Sequence, residues 1–158
     1  MGRRLRTVGV VPLALLPFAL LGCGLGGDDK ADGGPTRVPV QEAATKARER
    51  VQAYLDAMAA KDPAAGRNQL CATMQAGFDA AATGPNGDFA DHFKVPATTI
   101  TDIRTGAKGQ EVSTTVTVSV GAKKATRSLL FTVTRDGADW CIAGEEPGGH
   151  TPVPSVTP

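Results

Sequence analysis

The densest group of side chains that could move protons or hold a metal lies in a short acidic stretch containing Asp88, Asp91 and His92. A carboxylate beside an imidazole can orient the ring for acid–base catalysis, and the same atoms can bind a divalent cation. However, side chains this close in sequence rarely converge on one point, and acidic loop residues are usually solvated. We therefore expect a solvated loop, and we assign no catalytic residue and no metal site.

Three other residues have reactive or aromatic side chains but simpler expected roles. Tyr54 falls on the apolar stripe of a predicted helix, which favours a core or pocket-lining position with the hydroxyl at its edge. Trp140 is expected in the core or in a pocket wall, and His150 lies in a tail where we expect no partner for it. The chain contains no GxSxG, HExxH, GxGxxG or P-loop motif, so no enzyme class and no cofactor is indicated.

The first 22 residues have the layout of a secretory signal peptide. Arg3, Arg4 and Arg6 supply a positive start, and the stretch 8–21 is apolar and uncharged. A membrane-spanning helix needs about 20 apolar residues. The apolar stretch is shorter than that and is interrupted by prolines, so a cleaved leader is favoured over a retained membrane span.

The leader ends in Leu20-Leu21-Gly22-Cys23, which resembles the lipobox of bacterial lipoproteins: an aliphatic residue, a variable one, a small one and an invariant cysteine. The resemblance implies that Cys23 takes a diacylglyceryl group on its sulfur and becomes the first residue of a mature protein anchored to the extracytoplasmic face of the cell membrane. An ordinary cleavage site would show a small-x-small pattern, which Ala19-Leu20-Leu21 lacks. The alternative for Cys23 is a free or disulfide-bonded thiol.

If Cys23 carries lipid, Cys71 and Cys141 are the cysteines that remain, in an oxidising compartment. An even remainder there predicts a disulfide. The bond would close a loop of about 70 residues, which the chain-entropy view values at about 4 kcal/mol. A redox or metal role is disfavoured because the two cysteines are far apart and no CxxC motif is present.

Composition divides the rest of the chain. The whole chain has 17 basic and 16 acidic residues, and three of the arginines belong to the leader, so the remainder has no basic excess to bind nucleic acid. Residues 23–40 are glycine-rich and read as the lipidated cysteine with a flexible tether, whereas residues 146–158 read as a proline-rich disordered tail. Residues 41–145 then form a single domain with its own core.

Within that domain the apolar residues first recur at helical spacing and then, further along the chain, at the spacing of a strand. The first predicted helix, 41–60, carries an apolar stripe through Val51, Tyr54, Leu55 and Met58. A second helix is predicted over 63–81, with Asp62 as N-cap and Pro63 as its first residue. The apolar positions expected on its inner face are Leu70, Met74, Gly77 and Phe78.

After Pro96 the period becomes two. Residues 112–120 alternate mainly valine positions with serine and threonine. Leu129, Phe131 and Val133 alternate with their neighbours in 128–134, and Asp136-Gly137 is a strong hairpin signal before a last strand over 138–143. A weaker strand over 98–105 precedes them. The pattern predicts two helices packed on a four-stranded antiparallel meander, an α+β fold.

These elements resemble the NTF2-like (cystatin-like, SnoaL-like) domains found in small lipoproteins of high-GC Gram-positive bacteria. The resemblance is carried by the helix 51–62, by the second helix with Leu70-Cys71, and by the last strand with Trp140-Cys141. It implies a curved sheet wrapped around the helices as a cone whose interior can be a pocket. In a regular strand Trp140 and Cys141 face opposite sides, and we expect the disulfide to form at a frayed strand end.

The resemblance implies a fold and no single chemistry, since the family includes enzymes, transport factors and binding modules. We expect a membrane-anchored, non-enzymatic module that binds a small apolar ligand or docks onto another envelope protein. The alternative is a cell-surface enzyme of the SnoaL or ketosteroid isomerase type. An enzyme requires ionisable side chains that converge inside the cone, a binding module requires an apolar cavity, and a docking protein requires an exposed apolar patch.

Overall fold

The computed structural model describes residues 39–150, so the leader, Cys23 and the tether up to residue 38 lie outside the described part, as do residues 151–158. The described elements, in chain order, are α1 (Val40–Ala60), α2 (Pro63–Arg67), α3 (Ala72–Ala81), β1 (Lys94–Thr105), β2 (Gln110–Val120), β3 (Lys123–Asp136) and β4 (Asp139–Pro147). No helix within this range is both long enough and apolar enough to cross a membrane.

The four strands form one antiparallel sheet in the order β1-β2-β3-β4, with the helices packed on one face. The predicted α+β fold, helices packed on a four-stranded antiparallel sheet, is confirmed. The predicted Asp136-Gly137 turn joins β3 to β4, and Gly137 has a φ of 63°, which glycine adopts without steric cost.

The core lies between α1 and the inner face of the sheet. The stripe of α1 predicted from sequence is buried, with Val51 and Leu55 fully inaccessible to solvent. The residues that meet it from the sheet are Val112, Val116, Phe131, Val133 and Ile142. The valine positions of β2 are therefore inner-face positions until the strand end, where Val120 is 53% exposed.

The predicted helix over 63–81 is two helices in the structure. Asp62 caps α2 as expected, because its carboxylate accepts a hydrogen bond from Ala65 N at 2.9 Å. The chain then leaves the helical path, and Gln69–Cys71 pairs with the edge of β4 through two hydrogen bonds of 2.9 Å, Cys71 N to Ile142 O and Ile142 N to Gln69 O. The edge of the sheet takes these backbone groups, which periodicity within one segment cannot reveal.

Cys71 and Cys141 form a disulfide, with their Cα atoms 4.9 Å apart. The predicted frayed strand end is wrong, because Cys141 lies inside β4, opposite Thr134. Leu70 bridges Ile142 in parallel and both are buried, so side-chain alternation places the neighbouring Cys71 and Cys141 together on the other side of this strand pair. Trp140 can therefore pack against the core while Cys141 still reaches its partner.

The last strand is longer than predicted. Glu146 and Pro147, placed in a disordered tail from the sequence, are the final residues of β4, where they pair with Leu130 and Leu129. Gly148 then donates its N–H to Ser128 O at 2.9 Å, so the chain stays on the sheet beyond the strand. At the other edge β1 begins at Lys94 and not at residue 98, and a register shift next to Pro96 absorbs the proline.

Candidate functional site

A cavity of about 520 Å³ opens between α3, the loop that follows it, and the ends of β3 and β4. Most of its wall is apolar. The apolar lining residues are Leu70, Met74, Phe78, Ala81, Ala82, Leu129 and Pro147. A concave, mainly apolar site of this volume is in the range that holds a small organic ligand.

The cavity exists because α3 stands away from the sheet. The disulfide at Cys71 fixes the start of α3 beside β4, and none of the helix's residues is fully buried. Met74 and Phe78, which the sequence places on an inner face, are only partly buried and face the cavity. Leu70, just before α3, is buried in the core.

Three polar side chains from separate elements meet in this apolar surface: Tyr54 of α1, Asp88 of the loop and Glu145 of β4. The Tyr54 hydroxyl donates a hydrogen bond to Asp88 Oδ2 at 3.2 Å. The Glu145 carboxyl lies within hydrogen-bonding reach of both Asp88 and Tyr54. We call these three residues the acidic floor of the cavity.

The acidic floor changes the protonation of its own members. Burial, followed by the charge and hydrogen bond of Asp88, raises the pKa of Glu145 to about 8, against the opposing effects of Tyr54 and Arg127. At pH 7 Glu145 is therefore mostly a carboxylic acid. Burial, followed by the charges of Glu145 and Asp88, also raises the pKa of Tyr54 far above its usual range, so Tyr54 remains a hydrogen-bond donor.

Aromatic packing fixes the tyrosine of the acidic floor. The Tyr54 ring makes edge-to-face contacts with Phe89 and Phe131, each with ring centroids 5.6 Å apart, and with Phe78 at 6.4 Å. Only 2% of the Tyr54 surface is exposed. The hydroxyl therefore has little freedom to leave Asp88.

The loop after α3 is held in place by the residue next to Asp88. Phe89 is buried, and its N–H donates to Ala82 O at 2.9 Å. Its ring lies against Gly66, where an added Cβ would come within 2.3 Å of Phe89 Cζ, so α2 needs a glycine at this point. Because Phe89 is anchored inward, the preceding carboxylate is presented to the cavity.

The sequence-predicted cluster does not converge. Asp88 turns to the cavity, whereas Asp91 and His92 are exposed. Within residues 39–150 no group of three or more His, Cys, Asp or Glu side chains has the arrangement of a metal site. Asp88 instead accepts a hydrogen bond from Tyr54 and shares the cavity with Glu145, which lies 57 residues further along the chain.

The two residues predicted to line a pocket lie in different places. Tyr54 is part of the cavity lining, as described above. Trp140 lies outside it and lines a smaller cleft of about 320 Å³ beside α1, together with Lys46, Glu49 and Arg50. Since Trp140 also packs against the core, its position is explained without a ligand.

A second acidic pair lies on the outer face of the sheet and holds His150. His150 Nδ1 lies 3.1 Å from Asp102 Oδ2, and Nε2 lies 2.8 Å from Glu111 Oε2. Its backbone N–H donates to Ser113 Oγ at 2.9 Å. The prediction that His150 has no partner is wrong, because the chain beyond β4 lies over β2. Asp102, Glu111 and Ser113 share the outer face of the sheet there and bind His150. We call this group the outer clasp.

The sequence pattern does not predict that Glu145 faces the cavity, because a bulge in β4 changes the side of the sheet on which it lies. Val133 pairs with Ile142, but Thr132 pairs with Gly144, so Ala143 is an extra residue in β4. In a regular strand Glu145 would face the opposite side from Ile142. The bulge restores Glu145 to the inner face, opposite the buried Phe131.

Comparisons with known proteins add little beyond the fold. The sequence matches no protein-family model, and the comparison with curated proteins finds no match. Among solved structures, the chain is similar to one described as an Ntf2-like, potential transfer protein TraM from the Gram-positive conjugative plasmid pIP501, with 12% sequence identity and a TM-score of 0.44. The likeness covers 70% of this chain and 97% of that one. The description of this chain as an α+β domain with an apolar cavity and an acidic floor therefore rests on its own residues.

Proposed function

We propose that the chain is a lipid-anchored extracytoplasmic lipoprotein whose domain is a non-enzymatic module that binds a small, largely apolar ligand. The observation that carries the binding role is the apolar cavity of about 520 Å³ with polar groups gathered at one place in its wall. An apolar wall supplies affinity through burial, and a few convergent polar groups supply orientation.

Docking of a partner protein through an apolar patch is the less supported form of this role. Such a patch is a contiguous exposed apolar surface. Among the described residues the large apolar side chains that are strongly exposed are Val40, at the start of α1, and Val120, at the end of β2. Single exposed valines on two elements do not make a patch, whereas the cavity gathers its apolar side chains in one place.

The binding role is tested by filling the cavity. Gly77 lines it, and a Cβ added there meets no atom within 4 Å, so Gly77→Trp places an indole in the cavity without a backbone clash. The neighbouring exposed Ala76 is the matched control, since adjacent helix positions face different directions. With the neutral dye Nile red as probe, we expect the purified full-length chain and Ala76→Trp to enhance dye fluorescence and Gly77→Trp to lose at least about 90% of it. Equal enhancement by all three proteins would contradict the proposal.

The anchoring part of the proposal is supported by the sequence of the leader. Positive residues, an uncharged apolar stretch and Gly22-Cys23 occur in the order that lipoprotein export uses. We expect Cys23→Ser to move the protein from the membrane fraction to the soluble fraction of a producing bacterium. Thr36→Ser, in the same tether, serves as the control that stays with the membrane. Retention of Cys23→Ser at the membrane would refute the lipid anchor.

One observation favours a second function, a proton-transfer enzyme. Tyr54, Asp88 and Glu145 converge in a partly desolvated cavity, and the pKa of Glu145, about 8, is near the optimum for general acid–base work at neutral pH. Such a site could shift a double bond in a β,γ-unsaturated ketone, with a carboxylate taking the α-proton and returning it at the γ-carbon. Conversion of cyclohex-3-en-1-one to its conjugated isomer, followed by absorbance and lost in Asp88→Asn, would support this function over simple binding.

A further inference from the structure

We propose, on the basis of the binding role above, that the cavity selects ligands that carry a protonated amine on an apolar body, with the ammonium group seated between Asp88 and Glu145. Two carboxyl groups from different elements face each other in a mainly apolar wall. An ammonium group has three donors and matches oxygen acceptors that approach from two sides.

Among the described residues, 39–150, no lysine, arginine or histidine forms an ion pair with the carboxyl group of Asp88 or of Glu145. Lys61 is near, but its Nζ lies over the Phe93 ring, 3.6 Å from the centroid, and donates to the backbone oxygen of Asp88 at 3.4 Å. The carboxylate of Asp88 therefore keeps acceptor capacity facing the cavity.

The other charged groups around the pair lie at the rim. Arg127 of β3 is exposed and influences Glu145 through its charge, and Glu146 of β4 is exposed beside it. The cavity residues of α3 are Thr73, Met74, Gly77, Phe78 and Ala81, none of which is charged. A ligand that reaches the acidic floor therefore meets acceptors at its polar end and apolar side chains along its body.

Amine binding should release a proton. In the free protein Glu145 is mostly protonated at pH 7, because its pKa lies at about 8. A bound ammonium favours the carboxylate form and so lowers the pKa of Glu145. By linkage, the affinity for the amine then rises by about tenfold between pH 7 and pH 9. A neutral ligand of the same shape gains none of this.

The test compares two probes of the same shape, 4-phenylbutylamine and 4-phenylbutan-1-ol. They are titrated calorimetrically into the purified full-length chain at pH 7, in two buffers of different ionisation enthalpy, and again at pH 9. We expect the amine to bind at least about tenfold more tightly than the alcohol. We also expect nearly one proton to be released per amine bound at pH 7, and none per alcohol.

Two variants distinguish binding at the Asp88–Glu145 pair from attraction of the amine by negative charge anywhere near the cavity. Glu145→Gln should abolish both proton release and the pH dependence of amine binding. Glu146→Gln makes the same substitution at the next, exposed residue and should leave both in place. Equal affinity for the two probes overturns the amine selectivity and leaves the binding role standing. Equal effects of the two variants also overturn it. If neither probe binds, the amine proposal fails, and the Gly77→Trp dye experiment decides whether the binding role fails with it.

Discussion

The two faces of the sheet carry two pairs of carboxylates with opposite fates. On the outer face Asp102 and Glu111 hold His150, and Asp102 also pairs with Arg104. On the inner side Asp88, from the loop after α3, accepts a hydrogen bond from the Tyr54 hydroxyl, and its charge acts on the neighbouring Glu145 of β4. The outer pair is satisfied by groups of the chain itself, so the fold explains it. Within residues 39–150 the inner pair has the neutral Tyr54 donor and no ion-pair partner, which is the reason for proposing a ligand there.

The same difference appears in the pKa shifts. Desolvation works to raise the pKa of Asp102, but the hydrogen bond and charge of Arg104, with the hydrogen bond from His150, leave it lower than usual. Burial and Asp88 raise the pKa of Glu145 to about 8. Neighbours of opposite charge thus favour the ionised form of Asp102 on the outer face, whereas burial and the like charge of Asp88 favour the neutral form of Glu145 on the inner side. The following predictions test this comparison, from the largest effect to the smallest.

The largest effect concerns the covalent bond that holds the inner side together. The disulfide fixes the start of α3, a cavity wall, to β4, whereas the outer clasp is held by hydrogen bonds. Replacing both Cys71 and Cys141 by serine should lower the free energy of unfolding by about 2–5 kcal/mol. Urea unfolding of the oxidised chain and of the double variant measures this. A loss well under 1 kcal/mol would show that the wall is held by packing alone.

The second effect is a gain in stability at the inner pair. Because the folded-state pKa of Glu145 is raised, its ionisation opposes folding, so stability falls as pH rises from the ordinary glutamate value to about 8. Glu145→Gln removes this cost. We expect the variant to be more stable than the parent chain by about 1–3 kcal/mol at pH 9, because partial access of solvent to Glu145 weakens the effect. At pH 4 the two proteins should have nearly equal stability. Urea unfolding at the two pH values measures the difference, and a variant less stable at pH 9 would contradict it.

The third effect concerns the outer clasp. His150→Ala removes the ring that bridges Asp102 and Glu111 and should cost about 1 kcal/mol. Hydrogen exchange should show faster exchange at Gly148, whose N–H bonds Ser128 O. The exposed His92→Ala is the control and should change neither quantity. Loss of cavity binding in His150→Ala would show that the two faces are coupled and would break the comparison.

The smallest effect is a pH dependence of the same clasp, with the opposite sign to that of Glu145. A carboxylate whose folded-state pKa is lowered stabilises the fold above its ordinary value, and this contribution is lost as pH falls through the lowered one. Asp102→Asn should therefore be slightly less stable than the parent at pH 7, and the difference should shrink as the pH falls below the ordinary range of an aspartate. Thermal unfolding over this pH range tests this, and a gap that widens on acidification would contradict it.

Local sequence signals, namely strand alternation, turn residues and helix caps, predicted the structure most reliably. The valine face of β2, the Asp136-Gly137 turn and the Asp62 cap of α2 all follow from local chemistry, and each lies where it was predicted. The second helix is predicted wrongly over residues 68–71, because Gln69 O and Cys71 N form their hydrogen bonds with Ile142 of β4. Helical period in that segment was real, but an available sheet edge outweighed it.

The candidate site could not have been assembled from the sequence. The sequence groups Asp88 with Asp91 and His92, which the structure leaves exposed, and it puts Glu145 at the end of the predicted domain. A one-residue bulge at Ala143 decides which face Glu145 occupies, and bulges leave no signal in simple alternation. His150 was assigned to a disordered tail for the same kind of reason, since its partners lie on two strands far earlier in the chain.

The sequence by itself determined the class of elements and the pairing of Cys71 with Cys141, because these depend on local periodicity and on the parity of the cysteines. The leader over residues 1–22 and the lipid on Cys23 stay predictions from contiguous composition. Tertiary structure alone decided that α3 stands off the sheet to leave a cavity, that Glu145 turns inward to meet Asp88, and that His150 closes on the outer face. The physical reason is that local patterns fix what each segment prefers. Which carboxylates lose their solvent, and which of them meet a cation, depends on the segments that pack together.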